Sequence, residues 1–526
     1  MQINIITSHG HFAKPLSFFD VVQYTGDGSS NRSISHSLGS TPGFIIIKDA
    51  TNVNNWFCWH NYFSSLSSGS GYLMLNSTNT VVDTTGVIDT VTSTSFNVTG
   101  GSTNASGATI IAYVFAHNNS DGEFGPDSDQ DIIKCGSYTG TSSSSTINQI
   151  NLGFEPQWLL IKGADYATGW QIYDSMRGIA TGGKEARLYA DADSAEGNIG
   201  DVDVNATGFA PTSASFNTNS QGNTYIYIAI RRGPLAVPED ATKVFGMDAY
   251  TSGGDGPVTG FVTDFSLLRL VNNTYDWYAT TRLTGKVLYT NQTSAEVANQ
   301  YAITDRMDGM WDTAVPNHFL WGWKRAPGYF DVVAYTGDGT GTRTLSHNLE
   351  ATPEMIWLKK RSTTSSWYVY HKDLSDPNNG YLSLEDTSAR SASSGIWGTG
   401  PTSTNFQAVL NTSGQTHIAY LFATVAGVSK VGSYTGNGSS QNIDCGFSSG
   451  ARFVLIKGTS SSGYNWCVWD STRGIVSGND PKLTLDTTDA EQTGYDFIDP
   501  HSSGFSVTNQ PDVNNNGATY IFYAIA

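Results

Sequence analysis

Apolar residues in this chain come in short runs. Some are continuous, as in Ile45-Ile46-Ile47, and some alternate in face, as in Tyr225-Ile226-Tyr227-Ile228-Ala229-Ile230. Clusters of Gly, Asn, Asp and Ser separate them, and no stretch keeps the 3.6-residue period of an amphipathic helix. Continuous runs predict strands covered on both faces, and alternating runs predict strands with one buried face. Short strands punctuated by turn residues predict an all-β sandwich or barrel architecture.

The runs recur in a fixed order. Tyr-Thr-Gly stands at Tyr24, Tyr138, Tyr335 and Tyr434, with a looser copy at Tyr250-Thr251-Ser252-Gly253. An apolar run ending in a base follows each: Ile45 to Lys48, Leu159 to Lys162, Ser266 to Arg269, Ile356 to Lys359 and Val454 to Lys457. Then comes an aromatic pair, read as Trp56/Trp59, Trp170/Tyr173, Tyr275/Tyr278, Trp367/Tyr370 and Trp466/Trp469. An aromatic and aliphatic strand closes each unit. The prediction is five tandem β-sandwich modules of jelly-roll or lectin-like type, each of about 85–115 residues.

Their boundaries are module 1 over 19–116, module 2 over 133–232, module 3 over 233–328, module 4 over 329–424 and module 5 over 425–526. An N-terminal arm (1–18) and an acidic, polar linker (117–132) complete the chain. Modules 1 and 4 share Phe-Asp-Val-Val-x-Tyr-Thr-Gly-Asp-Gly and Ser-His-x-Leu (type A). Modules 2 and 5 share Gly-Ser-Tyr-Thr-Gly and aromatic-Asp-Ser-x-Arg-Gly (type B). Module 3 reads as a divergent B, with Arg282 following Tyr278. The pattern suggests a duplicated A–B pair around a central unit.

Composition narrows the function. Only 14% of residues are charged, against about 25% in an ordinary soluble domain, so the surface is built from neutral polar groups. A net charge of −18 without any basic tract argues against nucleic-acid binding. No apolar run reaches the roughly 18 residues needed to cross a bilayer, and the N-terminus lacks the features of a secretory signal. The four cysteines, Cys58, Cys135, Cys445 and Cys467, suit neither a disulfide framework nor a thiolate zinc site and read as small buried hydrophobes.

The aromatic-Asp-Ser-x-Arg motif has two readings. As a site, Trp170, Tyr173, Asp174 and Arg177, and likewise Trp466, Trp469, Asp470 and Arg473, would offer a sugar a ring face beside charged hydrogen-bonding groups. As scaffold, the Asp and Arg would tie a turn, which is the favoured reading. It is no glycosidase signature, because that chemistry needs two facing carboxylates and here a guanidinium lowers the pKa of one. His36 with His60, and His347 with His371, could bind metal or titrate together only if they met in space, and no further ligand is set by spacing. The Tyr-Thr-Gly-Asp/Asn-Gly segments read as hairpin turns needing positive φ rather than phosphate loops. No catalytic residue, metal site or cofactor is expected.

Taken together, these motifs and Thr-Pro-x-x-Ile-x-x-Lys and Trp-x-x-Tyr-His resemble a repeat domain of unknown function in virion proteins of tailed phages, marine ones especially. The resemblance implies a virion structural protein of tail-fibre or adhesin type, not an enzyme. Its modules would recognise host-surface glycans or present such recognition. The alternative is a capsid- or tail-decorating protein with a purely architectural role, and a polysaccharide-degrading enzyme comes last. Implied partners are other virion proteins, host-surface glycans and further copies of the chain, with neither nucleic acid nor membrane insertion. The protein would be made in the host cytoplasm and act in the virion.

Overall fold

The structure, a computed structural model, describes residues 18–118, 130–142, 149–179, 185–212, 217–233, 236–250, 256–298, 308–309 and 318–526. The expected arm at 1–18, save its last residue, and most of the linker at 117–132 lie outside these.

The described chain is nearly all antiparallel β. In module 1 the main sheet runs, edge to edge, Phe19–Thr25, Thr109–Ala116, Pro42–Asp49, Phe57–His60, Gly71–Met74 and Val82–Asp83. A smaller sheet of Arg32–Ser35, Ser95–Val98 and Ile88–Asp89 covers it. The last long strand therefore sits between the first and third, and the second strand leaves the main sheet for the smaller one. The same order recurs from Ile133–Thr139 to Thr224–Arg231, from Phe330–Thr336 to Thr416–Phe422 and from Ser429–Thr435 to Thr519–Ile525. Between them, Phe245–Ala249 to His318–Trp323 forms a six-stranded sheet of that order with no second sheet among the described residues.

Alternation along the strands explains the core. Ile45, Ile47, Ile110, Ala112 and Val114 point inward and pack with Ile34, Phe96 and Val98 of the smaller sheet. The intervening residues face away from that core, yet most are apolar too. In modules 3, 4 and 5 these outer faces meet one another: Phe265, Phe330, Trp357, Tyr420, Phe422, Phe453 and Tyr523 belong to one shared core. Phe265 lies 4.6 Å from Tyr420, Phe422 5.1 Å from Tyr523 and Phe245 5.3 Å from Phe453, centroid to centroid. Such ring pairs add about 0.5–1.5 kcal/mol each beyond the area they bury.

The Tyr-Thr-Gly segment is an arch between sheets, not the hairpin expected, because its first strand and the next belong to different sheets. Each tyrosine hydroxyl donates to a carbonyl near the closing strand, as in Tyr24 to Thr103 at 2.6 Å and Tyr335 to Leu410 at 2.6 Å. The glycine after it is required by close approach: a Cβ on Gly337 would stand 2.1 Å from the Thr412 carbonyl. The positive φ falls two residues later, at Gly339 (79°) in that copy. A buried asparagine locks every arch, Asn104, Asn219, Asn411 and Asn514, each accepting a backbone N–H from the residue after that glycine.

Candidate functional site

The aromatic residues expected to stack on a sugar are enclosed. Trp170, Tyr173, Trp466 and Trp469 are all buried. The indole of Trp170 donates to the Met74 carbonyl at 2.9 Å and that of Trp466 to the Ser383 carbonyl at 2.8 Å. The second aromatic of each pair faces its own module's interior, with Tyr173 bonded to Gln171 at 3.0 Å and Trp469 to Asp480 at 2.9 Å. Burial thus overturns the ring-platform part of the glycan-site expectation.

Asp and Arg of the same motif form a clasp. The Arg177 backbone N–H donates to Asp174 Oδ1 at 2.8 Å and its Nε to Oδ2 at 2.7 Å, and Arg473 repeats this on Asp470 at 2.9 and 2.6 Å. Their surroundings differ. In module 5 the Trp321 indole of module 3 donates to Asp470 Oδ2 at 2.9 Å, and the Arg473 guanidinium lies over the Trp321 ring. In module 2 Asp174 and Arg177 open on a cleft of about 730 Å³, shared with Trp158, Asp264 and Arg282. Side-chain exposure of the Arg/Asp pair is accordingly 22% and 21% in module 2 but 6% and 0% in module 5.

The strongest repeated constellation joins one module to another. The base that ends the apolar run and a tryptophan eight or nine residues later lie side by side. Arg269 stands 5.1 Å over Trp277, Lys359 5.7 Å over Trp367 and Lys457 5.6 Å over Trp466. We call this pair the plug. It inserts into a turn after the fifth strand of another module, or after the fourth in module 3, and bonds to the backbone carbonyls of this socket. Module 2 plugs into module 1: Lys162 reaches the carbonyls of Thr78 and Asn79 at 3.2 and 2.9 Å, and Trp170 that of Met74. Module 4 plugs into module 3, with Lys359 on Thr293 and Trp367 on Tyr289, both at 2.9 Å. Module 5 plugs into module 4, with Lys457 on Asp386 at 3.2 Å and Trp466 on Ser383. Module 3 plugs into module 5, with Arg269 on Thr487 at 3.1 Å and on Asp489, and Trp277 on Thr484 at 2.7 Å. Burial pushes Lys162, Lys359 and Lys457 down to about 8, and the carbonyl oxygens supply the hydrogen bonds that make burial of an ammonium tolerable.

Strand register corrects the reading of module 3. Leu267 pairs with Ala279 as Ile46 pairs with Cys58, so Trp277 is the counterpart of Trp56. The Tyr275/Tyr278 pair and Arg282 stand out of register with the other modules.

The histidines do not form pairs. His36 Nε2 lies 3.1 Å from the Thr92 carbonyl and His347 Nε2 3.1 Å from that of Thr402. His60 is buried against module 2, its Nε2 3.1 Å from the Tyr227 carbonyl. Cys58, Cys135, Cys445 and Cys467 are all buried free thiols.

A further polar cluster ties the two A–B pairs together. Arg325 Nη1 and Nη2 meet both oxygens of Glu155 at 2.6 and 2.5 Å, while its Nε meets Asp331 at 2.6 Å. Burial raises the Asp331 pKa, but the charges of Arg325 and Arg232 more than offset this and hold the carboxyl below its usual range.

Fold and site together define a multi-module β-sandwich protein in which four of the five modules dock another module through a plug of a base and a tryptophan. A family model described as a domain of unknown function (DUF7483) matches residues 5–234 and 325–526, and the chain belongs to that family. The two stretches correspond to the two A–B pairs and leave module 3 between them. No curated protein matches the chain.

Proposed function

We propose that this chain is a structural protein of a virus particle, with an architectural role as a decorating or fibre-building element. The observation that carries the architectural part is the fourfold use of the plug-and-socket contact, which commits the tryptophans and bases of four modules to holding modules together. The phage-particle setting rests on the motif resemblance. Immunogold labelling of particles purified from a phage lysate tests it: label on the particle is the expected result, and a chain absent from particles overturns the reading. The adhesin reading keeps one support, the open cleft at Asp174 and Arg177. Glycan-array binding that disappears in Arg177→Ala with folding intact would favour it. No binding above background leaves architecture alone.

A further inference from the structure

Modules 3, 4 and 5 close a cycle: 4 plugs into 3, 5 into 4 and 3 into 5. Modules 1 and 2 repeat the 4–5 pair, with 2 plugged into 1, but nothing among the described residues takes the place that module 3 takes beside 4 and 5. Among the described residues, one plug and one socket are left over.

The unused plug is Lys48 and Trp56. Lys48 lies 5.6 Å over the Trp56 ring, as the bases of modules 3, 4 and 5 lie over theirs, and bonds to the carbonyl of Asn54 in its own module, as Lys359 does to Ser365. Among the described residues it has no second bond to a neighbouring module, and Trp56 is only partly buried where Trp277, Trp367 and Trp466 are fully buried. The unused socket is the turn after Tyr189 in module 2. Asp191 caps the Trp170 backbone N–H at 2.6 Å as Asp486 caps that of Trp466 at 3.0 Å, so the turn is built. Its residues Ala190 to Glu196 are exposed or half-exposed, whereas Thr484, Leu485 and Asp486 of module 5 are buried under module 3.

The faces around this vacancy agree. Val21 on the outer face of module 1 is 50% exposed, and its counterpart Val332 in module 4 is 1% exposed. Ile111, Tyr113 and Phe115 are half-buried where Ile418, Tyr420 and Phe422 are fully buried. On module 2, Trp158 and Ile172 are half-buried where Phe453 and Val468 of module 5 are fully buried. In modules 4 and 5 these positions belong to the core shared with module 3.

We infer that modules 1 and 2 are two thirds of a three-module ring whose third place is filled by a β-module of the module 3 kind carried by another polypeptide. It would present a socket to Lys48/Trp56 and a Lys or Arg followed, about eight residues on, by Trp to the Tyr189 turn. No single module of a second copy of this chain can close the ring. The closing module needs its own plug and socket free, but modules 3, 4 and 5 have both engaged, module 1 has its socket filled and module 2 has its plug inserted.

The test joins an additional copy of residues 236–323 to the start of the full chain by a flexible linker and follows amide exchange by mass spectrometry. Protection at Lys48–Trp56 and at Tyr189–Asp191 should rise roughly ten-fold or more. Arg269→Glu with Trp277→Ala in the added copy alone should release the Tyr189 turn. Unchanged exchange at both places, with the added copy's own strands protected, overturns the inference. If the added copy shows no protected strands, the decision passes to a photo-reactive phenylalanine analogue at position 56 of the full chain in its native particle. A link to a β-module of another polypeptide supports the inference. A link to residues 1–17, to a second copy or to a protein of another fold overturns it, as does no link.

Discussion

Arg325 grips Glu155 through two parallel hydrogen bonds of 2.6 and 2.5 Å across 170 residues of sequence. Glu155 lies in the first family-matched stretch and Arg325 in the second, and the Arg325 backbone N–H also bonds to Asp264 in module 3 at 2.7 Å. One residue therefore joins the central module through its backbone and both A–B pairs through its guanidinium. Removing it would leave Glu155 and Asp331 buried with only Arg232 nearby, 3.6 and 3.8 Å away. Arg325→Ala is expected to destabilise the junction by about 3–5 kcal/mol. Thermal unfolding checks this, and Glu155→Gln with Arg325→Met should recover part of the loss. A variant as stable as the parent would sink the argument.

The engaged and unused plugs make a paired prediction. Trp367→Phe removes the indole N–H and leaves the partly buried Tyr289 carbonyl without that donor, which costs about 1–3 kcal/mol. Trp56→Phe removes an N–H that makes no hydrogen bond among the described residues, so its effect should stay within about 0.5 kcal/mol. Equal effects in chemical denaturation would contradict the distinction between the two plugs.

The arch glycine gives a third. Gly337→Ala drives a methyl group to 2.1 Å from the Thr412 carbonyl, a backbone atom that cannot move alone. The change should open the arch and cost about 1–3 kcal/mol or more, whereas Gly414→Ala meets no atom within 4 Å and fails only through its φ of 71°. Loss of exchange protection at Tyr335 in the first variant, and retention in the second, is the expected result.

How much of this was legible follows from strand geometry. Continuous apolar runs announced sheets covered on both faces, and the shared core of modules 3, 4 and 5 is what covers three of them. What covers them could not be read, because module-to-module docking has no local periodicity. The aromatic pairs carried more information than was taken from them. Residues three apart on a strand point to opposite faces, so Trp466 and Trp469 could never share one platform. The first belongs to a neighbour and the second to its own core. Module 3 was misread because tyrosines at Tyr275 and Tyr278 flank the true plug residue, Trp277, and only pairing register separates them. The locking asparagines were missed for a different reason: each lies some 75 residues from the arch it closes, as Asn411 does from Asp338, with |i−j| of 73.

Acid should loosen the A–B contact. His60 is buried at the module 1–2 interface with both nitrogens occupied: Nδ1 accepts the Tyr62 N–H at 3.1 Å, and Nε2 lies 3.1 Å from the Tyr227 carbonyl. That arrangement requires the neutral ring. Burial pushes its pKa down to about 3, helped slightly by repulsion from His117, and burial does the same to His371 in module 4. The unfolded ring binds its proton near 6.5, so between about 6.5 and 3 the unfolded state holds more protons and stability falls as pH falls. The slope is about 1.4 kcal/mol per pH unit for each histidine once the pH is well below 6.5. Asp480 works in the opposite sense, because burial raises it to about 6, but it lies in module 5 and leaves the 1–2 interface as the cleaner reporter. Exchange at Tyr225–Ile228, corrected for its intrinsic pH dependence, should therefore accelerate between pH 7 and pH 5, a window of about two units. His60→Asn, which keeps a neutral donor and acceptor there, should flatten the response. Identical profiles for parent and variant would mean that His60 does not set the acid sensitivity of this contact.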